Sequence, residues 1–182
     1  MSKTIIIAEA GVNHNGDIEL AKDLINAAAE ADVDYVKFQT FKADSIVTKS
    51  APKAAYQNAN LNNKDSQYEM LKGLELTNDM HKELIAHAKI AGINFLSTAF
   101  DVDSLIYLKS LGLELVKIPS GEINNLLYLR KAAELFPLII MSTGMANLEE
   151  VDKAFKILKV SGASAENIHI LHCHTEYPTL MK

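Results

Sequence analysis

Two lysines stand where apolar runs of the sequence end. In "DYVKFQT", Lys37 and Gln39 follow Tyr35 at alternate positions; in "LVKIPSGEINN", Lys117 is followed closely by Ser120, Gly121 and Glu122. Side chains alternate along a strand, so Lys37 and Gln39 share one face with Tyr35, and Lys117 shares one with Leu115. A lysine in the last turn of a strand can lift its ammonium to the strand's end. Two such lysines, with the hydroxyls of Ser120 and Ser142 and the amides near Gly121 and Gly144, can bind a phosphate or a carboxylate. On a chain of net charge −5 they would be a local positive focus for a small anion. The alternative is that each lysine snorkels to solvent from the end of a sheet.

Other groups join them. Glu9 ends an apolar run within "EAGVNHNG", where a carboxylate can act as general base, sugar-hydroxyl acceptor or partner of a metal ligand, or can simply be a turn residue. The "NHNGD" run is an ordinary turn feeding an Asp17 cap, so Glu9 carries more weight than His14. "LHCHTEYP" sets His172 and His174 two apart, on one face if the strand continues through them, a spacing that can bind a metal. A structural or substrate-contacting role suits those histidines equally well. Cys173 would then point to the other face as a packed thiol.

The elements that must position these residues follow from two alternating periodicities. Short β-rich runs lie at about Thr4–Glu9, Val33–Gln39, Ile93–Thr98, Leu113–Ile118, Leu138–Ser142 and Ile168–Cys173. Between most of them, apolar residues recur at helical spacing: Leu20, Leu24, Ala27, Ala28 and Ala31; Met80, Leu84, Ile85 and Ala88; Val151, Ala154, Phe155 and Leu158. Asp17, Thr77, Asp101 and Asn147 occupy N-cap positions, Asn147 with Glu150 in box spacing, and Gly92, Gly112 and Gly162 occupy C-terminal stops. Strand-helix repetition at about 20–35 residues implies a parallel sheet. Every strand carries polar residues at its C-terminal end, where a (β/α)₈ barrel builds its active site. The long connection from Thr40 to Leu76 contains a short helical pattern, "SQYEMLKGLEL", and lies at this rim. A barrel needs about 250 residues, so six strands of α/β, (β/α)₈ TIM-barrel type would be incomplete, with the last two strands missing. An open doubly wound sheet, or strands supplied from elsewhere, are the alternatives.

Composition narrows the function. With 48% hydrophobic and 23% charged residues among 182, the chain can bury a core and is not of disordered type. It has no basic run suited to nucleic acid, no signal-peptide pattern and no apolar segment near the roughly 18 residues of a membrane span. A single cysteine excludes an internal disulfide framework. The expectation is a cytoplasmic globular protein.

Taken in order, "AEAGVNHNG", "VKFQTFKAD", "APKAAYQ", "SQYEM", "STAF", "VKIPSGE", "MSTGM" and "LHCHTEYPT" resemble the sialic acid synthase family, including N-acetylneuraminate and legionaminate-type nonulosonate synthases. The resemblance runs through the whole chain in register. It implies a barrel that condenses phosphoenolpyruvate with an N-acylated mannosamine-type sugar and releases phosphate, with a divalent metal, Mn²⁺ or Mg²⁺, polarising the sugar aldehyde. It implies that Lys37 and Lys117 neutralise the phosphate and carboxylate of phosphoenolpyruvate, helped by Thr98, Ser120 and Ser142. Glu9, Gln39, Glu122, Thr175 and Tyr177 match positions lining the sugar and intermediate site, with Glu9 the candidate for handling the attacking water. The catalytic set is therefore Glu9, Lys37, Lys117 and Glu122.

The sequence departs from the family at Ala10, Ala99 and His174. The family's metal-binding histidines, in S-D-H and K-H-F-like contexts, lie beyond Lys182, so the resemblance implies no metal ligand in this chain and makes His172 and His174 non-metal residues. A C-terminal antifreeze-like (SAF) domain, which serves a homodimer in the family, is absent from residues 1–182. The resulting expectation is the partial catalytic barrel of a nonulosonate synthase. A metal-dependent lyase or aldolase, with His172 and His174 or a Schiff-base lysine, and a non-catalytic partner subunit are the other two readings. The acceptor sugar is left open.

Overall fold

The computed structural model describes residues 4–51 and 66–175. Six strands, β1 (Ile7–Gly11), β2 (Tyr35–Thr40), β3 (Asn94–Ala99), β4 (Leu115–Ile118), β5 (Leu138–Ser142) and β6 (Ile168–Leu171), form one sheet in sequential order. All the pairings described are parallel. A doubly wound sheet reverses its strand order at a switch point, whereas here each new strand is added beside the last, as in a (β/α) barrel. The chain divides into two units, Met1–Phe95 and Leu96–Lys182.

In the first unit, α1 (Ile18–Glu30) follows β1, and α2 (Ala43–Ile46), α3 (Gln67–Gly73) and α4 (Asn78–Ala91) follow β2. Asp17 caps α1, accepting the N–H groups of Glu19 and Leu20, and Thr77 caps α4. The Thr40–Leu76 connection contains the helix expected at "SQYEMLKGLEL"; Ser66 and Glu69 form a full capping box at its start. Tyr68 of α3 donates to Asp44 of α2 at 2.8 Å, and Glu75 accepts the Ala43 N–H at 2.8 Å. These bonds pin the described ends of the connection to one another. Val36, Phe38 and Thr40 are the buried alternate residues of β2, and the Phe38 ring stacks on Phe95 at 5.4 Å. Burying one such ring is worth about 1.5–3 kcal/mol.

The α1 face differs from expectation. Ala21, Ile25 and Ala28 are buried, whereas Leu20 is 38% exposed and Ala27 and Ala31 are exposed. The helix is apolar on several sides, and periodicity alone did not fix which stripe packs inward. In α4 the inward face is His81, Leu84 and Ala88, so a histidine takes a place expected for an apolar residue.

In the second unit, α5 (Val102–Ser110), α6 (Leu126–Leu135) and α7 (Leu148–Val160) separate the strands. Asp101 caps α5, Asn125 caps α6, and Asn147 with Glu150 closes the capping box of α7. Gly92, Gly112 and Gly162 all adopt positive φ at helix ends. Leu105, Leu108, Val116, Ile118, Leu129, Phe136, Ile139 and Met141 form its buried core. The β6 strand ends at Leu171, so His172 and Cys173 lie beyond it and do not alternate along a strand.

Candidate functional site

The first unit gathers Glu9, Lys37 and Gln39 on β1 and β2, with Glu9 and Lys37 in mid-strand and Gln39 one residue before the end of β2. Parallel pairing sets Glu9 opposite Lys37 and Gly11 opposite Phe38, which leaves Ala10 as the extra residue of a bulge. Bulges re-aim side chains and are over-represented beside active sites. Lys37 Nζ lies 2.5 Å from Glu9 Oε2; the lysine side chain is 11% exposed and the glutamate 51%. Gly11 has φ +55°, and a Cβ there would stand 3.1 Å from Glu9 Oε1 and 3.6 Å from Gln39 Nε2. A bare backbone at this position lets the carboxylate and the amide lie close over it.

The second unit gathers a larger set. Thr98 and Lys117 are direct partners across β3 and β4. Thr98 is buried and Lys117 half-buried. Tyr128 of α6 donates its hydroxyl to the Ala99 carbonyl at 2.7 Å and so fixes the end of β3. After β4, Pro119 leads into a 3₁₀ turn, Ser120–Glu122. Glu122 accepts Asn125 Nδ2 at 2.7 Å, and Asn125 in turn caps Tyr128 N–H. Asn124 donates to Glu150 at 3.1 Å. The amide pair of the sequence thus secures both helices that leave this rim.

Ser142 closes β5, and the Thr143–Ala146 turn, with Met145 at φ +63°, is held by Ala146 N–H to Thr143 carbonyl at 3.1 Å. Thr143 also donates its hydroxyl to the Leu171 carbonyl at 2.8 Å. A Cβ on Gly144 would strike the Thr175 side chain and stand 3.0 Å from Ser120 Oγ. Ser120, Gly144 and Thr175 therefore meet at van der Waals range. The Cys173 sulfur receives the Ser142 hydroxyl and the Thr143 and Gly144 amides. Burial pushes its thiol up, but those three donors and the Lys117 charge outweigh it, and the thiol lies below its ordinary range. Three donors converging near a lysine are what a tetrahedral anion needs.

The sulfur in this nest corrects the placement of Cys173 on an opposite face. Because β6 ends early, residues 172–175 turn back over the end of β5. The sequence pointed to amides near Gly144 but read Cys173 only as a packed thiol; no pattern in "HCH" indicated that its sulfur would meet Ser142. His172 and His174 follow β6 in irregular backbone, and among the described residues no group of three or more His, Cys, Asp and Glu side chains is placed to hold a metal ion. Tyr177 lies outside the described residues. Among those residues no helix is long and apolar enough to cross a membrane.

Comparison with known proteins places this arrangement. The N,N'-diacetyllegionaminic acid synthase of Campylobacter jejuni is 56% identical over 98% of this chain and 53% of its own length. The N,N'-diacetyllegionaminic acid synthase of Legionella pneumophila is 49% identical over 95% of this chain and 49% of its own. The chain spans about half the length of these curated relatives. The crystal structure of N-acetylneuraminic acid (sialic acid) synthetase from Leptospira borgpetersenii, in complex with citrate, superposes with a TM-score of 0.83 at 31% identity. It covers 98% of this chain and 57% of that one. The six-stranded parallel alternation is thus that of a sialic acid synthase structure, and the (β/α)-barrel reading of the strand pattern holds. The NeuB family profile matches residues 24–182, and this chain belongs to the NeuB family.

Proposed function

We propose that the protein carrying this chain is a nonulosonic acid synthase, a transferase that joins phosphoenolpyruvate to an N-acylated amino sugar with loss of phosphate. The observation that carries this reading is the set of residues at the ends of β3, β4 and β5: Thr98 stands directly opposite the half-buried Lys117, and Gly144 packs against Ser120 and Thr175. Preorganised donors of this type stabilise charge without reorganising during the reaction. In the proposed reaction, C3 of phosphoenolpyruvate forms a bond to the aldehyde carbon of the open-chain sugar, whose oxygen is protonated to a hydroxyl. Water adds at C2, losing a proton to a base, and the C2–O bond breaks to release phosphate.

Lys117, with Thr98, Ser120 and Ser142, serves the anionic groups of phosphoenolpyruvate, and Lys37 shares in neutralising them. Glu9 is the base for the attacking water; its carboxylate is half exposed and anchored by Lys37. Gln39, Glu122, Thr175 and Tyr177 bind the sugar and the intermediate. The described residues offer no seat for the divalent metal, Mn²⁺ or Mg²⁺, expected from the family resemblance, and no step here is routed through it. The acceptor is a diacetamido-trideoxy mannose, because relatives at 56% and 49% identity are each named N,N'-diacetyllegionaminic acid synthase. The protein works in the cytoplasm as a homodimer.

The test is phosphate release by the intact protein, measured with phosphoenolpyruvate and with each of two acceptors, N-acetylmannosamine and the diacetamido sugar. Release that needs both phosphoenolpyruvate and sugar, and prefers the diacetamido sugar, is expected. Release without sugar, or none with either sugar, would overturn the reading.

A further inference from the structure

His14 lies in the "NHNG" turn after β1, fully buried, and the proposed chemistry does not use it. Its two nitrogens have unlike surroundings. Nδ1 accepts the Gly16 N–H at 3.0 Å, so a neutral ring carries its proton on Nε2. Nε2 is buried without a hydrogen-bond partner among the described residues. Such orphans are rare in folded proteins and ask for an explanation.

The turn supplies one. Asp17 N–H bonds to the His14 carbonyl at 2.8 Å, Asn15 N–H to Val12 at 3.1 Å, and Asn13 N–H to Ala10 at 3.0 Å. The last acceptor is the bulge residue that lies between Glu9 and Gly11. Gly16 has φ +80°, and a Cβ on it would stand 2.5 Å from the Gly73 carbonyl oxygen, so the turn is also wedged against the end of α3. The imidazole tilts against Phe38 at 6.1 Å, and Phe38 sits between Lys37 and Gln39 on β2. One ring therefore braces the turn on one side and β2 on the other.

We infer that His14 is a positioning residue for the Glu9–Lys37 pair, and that it works only as the neutral Nε2–H tautomer. Protonation at Nδ1 removes the acceptor of Gly16 N–H and sets two donors against each other, which opens the turn that ends at the bulge. His81 of α4 reaches the same aromatic cluster through Phe95 at 6.5 Å, donating from Nδ1 to the Thr77 carbonyl and accepting the Thr40 hydroxyl at Nε2, each at 2.9 Å. His81 is kept neutral by burial first, and the Lys42 charge adds to that effect. Asp17 is committed to the α1 amides, and Glu9 and Lys37 to each other. Burial holds His14 below its ordinary value. The inference needs the ion pair and not the condensation chemistry.

The test uses two variants of the intact protein. His14→Asn places an amide oxygen near the Nδ1 position, keeping the acceptor without a titrating group; His14→Gln reaches the Nε2 position and does not. Carbodiimide joins a carboxylate and an amine in contact, and mass spectrometry of the Glu9–Lys37 cross-link reads the pair without catalysis. At about pH 7.5, wild type and His14→Asn should cross-link equally and His14→Gln about threefold less. At about pH 5.5 the wild type should fall about threefold or more below His14→Asn. Long-range ¹H–¹⁵N spectra should show the His14 proton on Nε2 at neutral pH. A wild-type to His14→Asn ratio that stays at one across this range, equal cross-linking in Asn and Gln variants, or a proton on Nδ1 would each overturn the inference.

Discussion

Glu9 and Lys37 are direct partners across the β1–β2 pairing, and their side chains close an ion pair of 2.5 Å that leaves the lysine almost wholly buried. The pair has two consequences. Lys37 cannot serve an anion without sharing its charge with Glu9, and Glu9 cannot move far without exposing Lys37.

Replacing Glu9 by Gln keeps the shape and removes the charge. Because Glu9→Gln leaves the 11%-exposed Lys37 without its countercharge, stability should fall by about 1–3 kcal/mol in thermal unfolding. Turnover should fall about a hundredfold or more if Glu9 accepts the water's proton. A Glu9→Gln protein with wild-type turnover would remove Glu9 from the chemistry.

Gly144 tests the second half of the site. A methyl group there must displace Thr175 or Ser120. Gly144→Ala should raise the KM for phosphoenolpyruvate about tenfold or more, while Gly92→Ala, at an αL cap with open space around it, should cost only about 1 kcal/mol of stability. Equal kinetic effects in both variants would show that backbone stability, not the nest, governs the result.

The Cys173 thiol should titrate below the ordinary thiol range, so its alkylation by iodoacetamide should reach full rate at lower pH than a free cysteine. Inorganic phosphate should slow that reaction, since it competes for the Ser142, Thr143 and Gly144 donors. Alkylation indifferent to phosphate would detach the nest from anion binding.

Acid should weaken the first unit. His14 and His81 are both held below the ordinary histidine value, chiefly by burial. The unfolded chain takes up these protons near pH 6.5 and the folded chain only at lower pH, so stability is full above about pH 6.5 and falls below it. Thermal midpoints measured from pH 7.5 to 5 should decline, and His81→Asn should flatten the slope. A flat profile in the wild type would contradict the burial of both rings as neutral groups.

Tyr128→Phe deletes the hydroxyl that holds the end of β3 and leaves the Ala99 carbonyl without it. The loss should be about 1–3 kcal/mol, seen as a midpoint lower by about 2–12 °C. An unchanged midpoint would mean that Ala99 finds another donor.

Much of the frame was legible because it is local. Asp17, Thr77, Asp101 and Asn147 cap the helices they were expected to cap, since a short polar side chain before an apolar run satisfies amides within its own turn. The alternation that sets Lys37 and Gln39 on one face of β2, with Val36, Phe38 and Thr40 buried on the other, was legible for the same reason: it needs only period-two spacing. Tertiary choices were not. Nothing in "LAKDLINAAA" says that Ala21 and Ile25 rather than Leu20 and Leu24 face inward. The early end of β6, which brings Cys173 under the Ser142 hydroxyl, depends on how residues 172–175 fold over a different strand. The bulge at Ala10 and the buried His14 depend on pairing with β2, which no local pattern encodes.

The most direct test is the phosphoenolpyruvate dependence of phosphate release by Lys37→Ala and Lys117→Ala in the intact protein. Both variants should lose about a hundredfold or more in kcat/KM for phosphoenolpyruvate, with the KM for the sugar little changed. Unchanged phosphoenolpyruvate kinetics in both would contradict the assignment of these lysines to its anionic groups.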